Sequence, residues 1–158
     1  MRRTDRQITD RAEIDQLLSE ARYATIALAD GDQPYVVTLS CGFDAASNRL
    51  YFHVARAGRK LDIIARNPKA CATVIADGGY KHGECAHPFE SVVMDGTMRL
   101  IDDPEQVREG MRVLIGQLES HENAVEVFER NRLDYDVSLK QFQMLVFDIT
   151  EATGKRGE

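Results

Sequence analysis

Between residues 24 and 54 apolar and polar residues alternate, and two short turn sequences break the alternation. Ala24, Ile26 and Leu28 occupy every second position, "DGDQP" follows, and Tyr35, Val37, Leu39, Cys41 and Phe43 resume the pattern. "DAASN" interrupts it again before a run from Leu50 to Val54. A period of two puts the apolar residues on one face of a half-buried strand. Turns this short join antiparallel neighbours, because parallel ones need a crossover of a dozen residues or more. An antiparallel meander is therefore the frame that the rest of the chain has to fit. In its second strand, Val36, Thr38 and Ser40 line the more polar face.

Three further runs extend the frame. "KACATVIA" reads as a fourth strand and "ESVVMDGTMRLI" as a long fifth. The fifth has Val92, Met94, Met98 and Leu100 on one face and Ser91, Asp95, Thr97 and Arg99 on the other. "FQMLVFDIT" is a sixth, and "GKRGE" reads as a basic tail. Helical spacing appears in residues 10–21, where Asp10 and Glu13 form a capping box, and after Asp103, with Pro104 at the first helical position. Residues 58–65 read as a short helix stopped by "RNP", and residues 120–140 as a polar, helical stretch. Regular strand–helix alternation is absent, so a doubly wound parallel sheet is excluded. The fold expected is mainly β with peripheral helices: six antiparallel strands closed into a barrel, over a single domain spanning 1–158.

Charge limits the partners. The formal net charge is −6 and charged residues make up 29%, which argues against general nucleic-acid binding. No apolar run approaches the roughly 20 residues of a membrane span, and no apolar signal core follows the charged start, so a cytoplasmic location is expected. The three cysteines are widely spaced, which argues for reduced thiols, with Cys41 and Cys71 in the core. "HGECAH" offers His82, Cys85 and His87, only three candidate metal ligands and no second paired motif. A surface loop, rather than a zinc site, is the reading adopted.

One local feature conflicts with helix electrostatics. Arg59 and Lys60 open the short helix directly after Gly58, and Arg56, Ala57 and Gly58 offer no side-chain oxygen as a cap. A helix N-terminus carries partial positive charge and spare N–H groups, so cations there call for an anion, and phosphate suits that arrangement. Asp62 offsets the charge in part.

"YFHVARAGRKLDIIARNPKACATV" resembles the phosphate-binding segment of the pyridoxamine 5'-phosphate oxidase-like, FMN-binding split-barrel superfamily. "ATIALADGDQPYVVTLSCGF" resembles that family's first hairpin, and "ESVVMDGTMRLIDDPEQ" its strand before a capped helix. The ending "FDITEATGKRG" is similar to the nitroimidazole-resistance-like branch. The resemblance implies a six-stranded antiparallel split β-barrel that binds FMN as a homodimer, with flavin sites at the subunit interface. It implies that Arg59 and Lys60 hold the phosphate, with Gly58 where the oxidases proper often have serine. Thr38 and Leu39, then His53 and Val54, would border the flavin, Ser91 would contribute from the fifth strand, and Lys155 from the tail. His53 is the tentative catalytic residue, with a partly buried structural histidine as its competing reading; no metal is implied.

The activity implied is that of an FMN-dependent oxidoreductase taking hydride from NADH or NADPH and reducing a small molecule, nitro-aromatics among the candidates. Two rivals stay open. One is a haem-binding or haem-degrading split-barrel protein with His53, His82 or His87 as axial ligand. The other is a flavin sensor without turnover.

Overall fold

A computed structural model describes residues 4–133 and 142–157 of the protein. Its strands are β1 (Gln7–Ile8), β2 (Tyr23–Asp30), β3 (Gln33–Ser40), β4 (Gly42–Asp44), β5 (Arg49–Val54), β6 (Lys69–Asp77), β7 (Phe89–Ile101) and β8 (Gln143–Gly157). The helices are α1 (Arg11–Glu20), α2 (Arg59–Arg66), α3 (Pro104–Leu118) and α4 (His121–Arg130). Asp10 caps α1 by accepting from the Ala12 amide at 2.9 Å, and Asp103 caps α3 by accepting from the Gln106 amide at 3.0 Å. Glu13 does not close a box on α1; it pairs with Arg156 of β8. In the stretch expected to be helical over 120–140, α4 ends at Arg130, and residues 134–141 lie outside the described residues. Among the described residues no helix is long and apolar enough to cross a membrane.

The strands form one antiparallel sheet in the order β3-β2-β6-β7-β8-β5-β4, with β1 pairing on β8. The long second strand expected from the sequence divides at Cys41, whose amide leaves the ladder and donates to the Arg22 carbonyl at 3.2 Å. This break decides the architecture. The two ends of the sheet, β3 and β4, are separated in the chain by Cys41 alone. A sheet whose first and last strands are joined by one residue has to curl round on itself. Yet β3 and β4 are not paired, so the barrel is open at this seam: the closure suggested by the strand pattern alone gives way to the split barrel that the family resemblance implies.

Inside the curl lies the main core, with Leu18, Ile26, Leu50, Phe52, Met94 and Phe147 almost fully buried. A second core lies outside the sheet, where α3 packs Val107, Met111 and Leu114 on Tyr51, Met144 and Val146. Thus β8 is covered on both faces, which explains why "MLVF" is apolar without alternation. Burying side chains of this size stabilises by roughly 1.5–3 kcal/mol each. Gly42 permits the contact between β4 and α3, because a Cβ there would stand 2.5 Å from the Leu114 Cα.

Two expectations change at the level of faces and ends. Cys71 is not a core residue: the inward positions of β6 are Ala70, Ala72 and Val74, and Cys71 is half-buried on the outward face opposite Asp95. The "GKRGE" stretch is not a free tail, since β8 continues to Gly157 and pairs with both β7 and β1.

Candidate functional site

Gly58 stands just before α2 as its N-cap, with φ 145° and ψ 160°. That backbone favours glycine, and a Cβ there would meet nothing within 4 Å, so the space beside it is open. No side chain caps the helix. The amides of Leu61 and Asp62 turn back to the Gly58 carbonyl at 2.8 and 3.3 Å. Among the described residues nothing accepts from the amides of Arg59 and Lys60, which are the orphan donors of a helix start.

The two cations differ in their surroundings. Arg59 Nη2 lies 3.7 Å from Asp30 Oδ2, and its guanidinium carbon stands 5.0 Å from the centre of the Tyr35 ring. Asp30 is held more closely by Arg66, from the last turn of α2, at 2.5 Å. Lys60 is half-buried and has no ionic or hydrogen-bonding partner among the described residues. Neither Asp30 nor Tyr35 was marked by the sequence pattern. Asp30 reads there as a turn residue and Tyr35 as a core-facing strand residue, and only the packing of α2 on the β2–β3 hairpin brings them to Arg59.

These contacts set the start of α2 beside β3. As the end strand of the sheet, β3 leaves alternate backbone N–H and C=O groups unpaired on its free side. Thr38 points outward, with its Oγ1 3.0 Å from that of Thr25, while Leu39 points inward and packs on the main core. Val54 ends β5 with its side chain in that core. Gly58, Arg59, Lys60, β3 and the end of β5 are thus neighbours.

The remaining expected residues lie elsewhere. Ser91 pairs with Ile75 on one side and Lys155 on the other. With β2 and β6 between β7 and β3, Ser91 is roughly 14 Å from the strand that carries Thr38. Lys155 is ordered within β8, its Nζ 5.5 Å from the centre of the Phe89 ring. His53 faces the helical side of β5, where its ring meets Phe142 edge-on at 4.5 Å. It lines a cavity of about 360 Å³ with Met111, Leu114, Ile115 and Leu133. Although the residue is exposed by surface area, partial desolvation lowers the pKa of the imidazole below its ordinary 6.5 and favours the neutral ring.

The cysteine–histidine segment forms the connection between β6 and β7, closed by a bridge between Lys81 and Ala86. His87 Nε2 is 2.7 Å from Asp77 Oδ1, and the Gly79 amide together with His87 holds that carboxyl below its usual range. Among the described residues no three metal-ligating side chains gather closely enough to hold an ion. Burial pushes the Cys41 thiol up to about 12, which leaves it unreactive at neutral pH.

A search of the curated proteins gave no match. Solved structures resemble the chain in fold. A candidate 5-nitroimidazole antibiotic resistance protein from Bacteroides thetaiotaomicron superposes with a TM-score of 0.77 at 20% identity, over 96% of this chain and 86% of that one. An FAD and heme binding protein from Mycobacterium smegmatis gives 0.78 at 22% identity, over 97% and 74% of the two chains. An FAD-binding protein from Mesorhizobium loti gives 0.63 at 23% identity, over 97% and 98%. A family model described as pyridoxamine 5'-phosphate oxidase matches residues 10–156. That match spans nearly all of the curled sheet and its helices, and the chain belongs to the pyridoxamine 5'-phosphate oxidase family.

Proposed function

We propose that the protein binds FMN and acts as an oxidoreductase, passing hydride from NADH or NADPH to a small-molecule acceptor. The observation that carries this reading is the uncapped start of α2, where orphan amides and two successive cations, Arg59 and Lys60, stand beside the end strand β3. A phosphate monoester fits this chemistry: it accepts from amides and from both cations, and the open space at Gly58 admits it. Two of the similar structures are those of FAD-binding proteins, which supports the same cofactor class.

In this reading Gly58, Arg59 and Lys60 hold the phosphate, and the backbone of Thr38 and Leu39 offers hydrogen bonds along the β3 edge. Val54 and Leu39, with their side chains packed in the main core, fix the ends of β5 and β3 that border the site. A bound flavin supplies the redox chemistry. His53 lies away from the phosphate site on the helical side of β5; desolvation favours its neutral ring, and its role in this reading is to donate or accept a proton for an acceptor that reaches from the flavin into the cavity beside it. Ser91 and Lys155 lie too far across the sheet to join in one chain, and a second copy brings them to the site. The acceptor class includes nitro-aromatics, in keeping with the similarity to a candidate 5-nitroimidazole antibiotic resistance protein.

The test is titration of FMN and riboflavin into parent and Arg59→Ala/Lys60→Ala protein by fluorescence quenching, with folding checked by circular dichroism. FMN binding should weaken by roughly 10²–10⁴-fold, from charge-assisted hydrogen bonds of about 1.5–3 kcal/mol each, discounted for non-additivity. Riboflavin lacks the phosphate and should change little. A folded double variant that binds FMN as tightly as the parent rules out this phosphate site. A Soret band in the purified protein, in place of flavin absorption, favours the haem reading, since one similar structure is that of an FAD and heme binding protein.

A further inference from the structure

We propose that Tyr35 is a positioning residue that presents Arg59 to a phosphate monoester, an inference that rests on the phosphate reading of Arg59. A guanidinium hydrogen-bonds through its edge and stacks through its face. Arg59 has one neighbour of each kind. Asp30 approaches at 3.7 Å, beyond hydrogen-bonding distance, and its carboxylate is committed to Arg66 at 2.5 Å. The Tyr35 ring lies under the guanidinium at 5.0 Å, inside the range of a cation–π contact.

The two contacts respond differently to an incoming anion. An anion competes for the Arg59 N–H donors on the side of Asp30, and the carboxylate stays behind with Arg66. The ring contact uses none of the N–H donors that the anion takes, so Tyr35 holds Arg59 before and after binding. The ring can do this because it is anchored: Tyr35 is half-buried on the inward side of β3 and packs on the main core. A long flexible side chain is thereby ordered before the ligand arrives, which reduces the entropy lost on binding.

The measurement is the affinity ratio of FMN over riboflavin, which isolates the phosphate. It is taken by fluorescence quenching for the parent, Tyr35→Phe, Tyr35→Leu, Arg59→Ala and the Tyr35→Leu/Arg59→Ala pair. Tyr35→Leu should lower the ratio roughly 3–10-fold. Tyr35→Phe keeps a stacking face and should restore the ratio to within about twofold of the parent. In the Arg59→Ala background, Tyr35→Leu should have no further effect on it. Should Tyr35→Leu fail to fold, Tyr35→Met carries the same comparison. A loss shared equally by both flavins makes Tyr35 a packing residue, and a ratio still lowered in the Arg59→Ala background makes it a direct contact; either overturns the proposal. An Arg59→Ala protein with an unchanged ratio overturns the phosphate reading itself, a distinguishable failure.

Discussion

His53 shows how one side chain takes its character from packing. Its neighbours Phe52 and Val54 point into the main core, so the histidine projects to the helical side, against Phe142. Partial desolvation of the ring favours the neutral form, so the folded protein binds a proton less readily than the unfolded chain. Folding is therefore not penalised by this group above the unfolded value of 6.5, and stability falls as pH drops through the window just below it. An NMR titration of the His53 ring should therefore give a midpoint under 6.5. His53→Gln should lose less stability than the parent when urea unfolding is repeated from pH 7 down to pH 5. A midpoint at or above 6.5 would remove this account. As the proposed proton donor, His53 should also affect flavin reduction more than thermal stability when replaced by alanine.

Among the elements, β5, β7 and β8 are tied by one carboxylate. Asp148 accepts from Arg49 Nε at 2.6 Å and from Arg99 Nε at 2.7 Å, one arginine from each flanking strand. Partial burial works against its charge, but the hydrogen bonds from Arg99 and Arg49 prevail and hold the carboxyl below its ordinary range. Its stabilisation is complete above the unfolded carboxylate pKa of about 3.9 and is lost as pH falls through the lower folded value. Asp148→Asn should cost about 1–2 kcal/mol at pH 7 by urea unfolding, allowing for solvent screening of a clamp that is only partly buried. The gap between the two proteins should narrow on acidification from pH 4 to pH 2. A gap unchanged over that range would show that the ion pairs contribute nothing and that the cost arises elsewhere.

For the assembly, the outward face of β2, β3, β6 and β7 is the informative surface. Tyr23, Val36, Ile75 and Val93 are exposed there at 61, 60, 65 and 43%, set among Thr25, Thr38 and Thr73. An apolar surface with small hydroxyl residues between suits a second copy, and the proposed site needs one to bring Ser91 and Lys155 to the flavin. Light scattering should give about twice the chain mass. Ile75→Asp with Val93→Asp should yield a folded monomer with much weaker FMN binding. A parent protein that is monomeric and binds FMN fully contradicts the shared site.

Much of this was legible from residue order, because it depends on local physics. Alternation located β2, β3 and β7 and assigned their inward residues, since a strand shows its faces with a period of two. Asp103 with Pro104 marked the start of α3, and the capless run at Gly58 marked a helix end short of an anion acceptor. What local pattern could not hold is whatever depends on partners distant in the chain. Cys71 lies in an apolar run but faces outward, because the sides of β6 are set by pairing with β2 and β7. The basic end reads as a tail until β7 and β1 pair with it. The break at Cys41 has no turn sequence; it is imposed where the curling sheet brings the Arg22 carbonyl to the Cys41 amide. Tyr35 and Arg59 stand 24 residues apart in sequence and meet only because α2 docks on the hairpin, so the contact that orients the proposed anion site belongs to the folded chain.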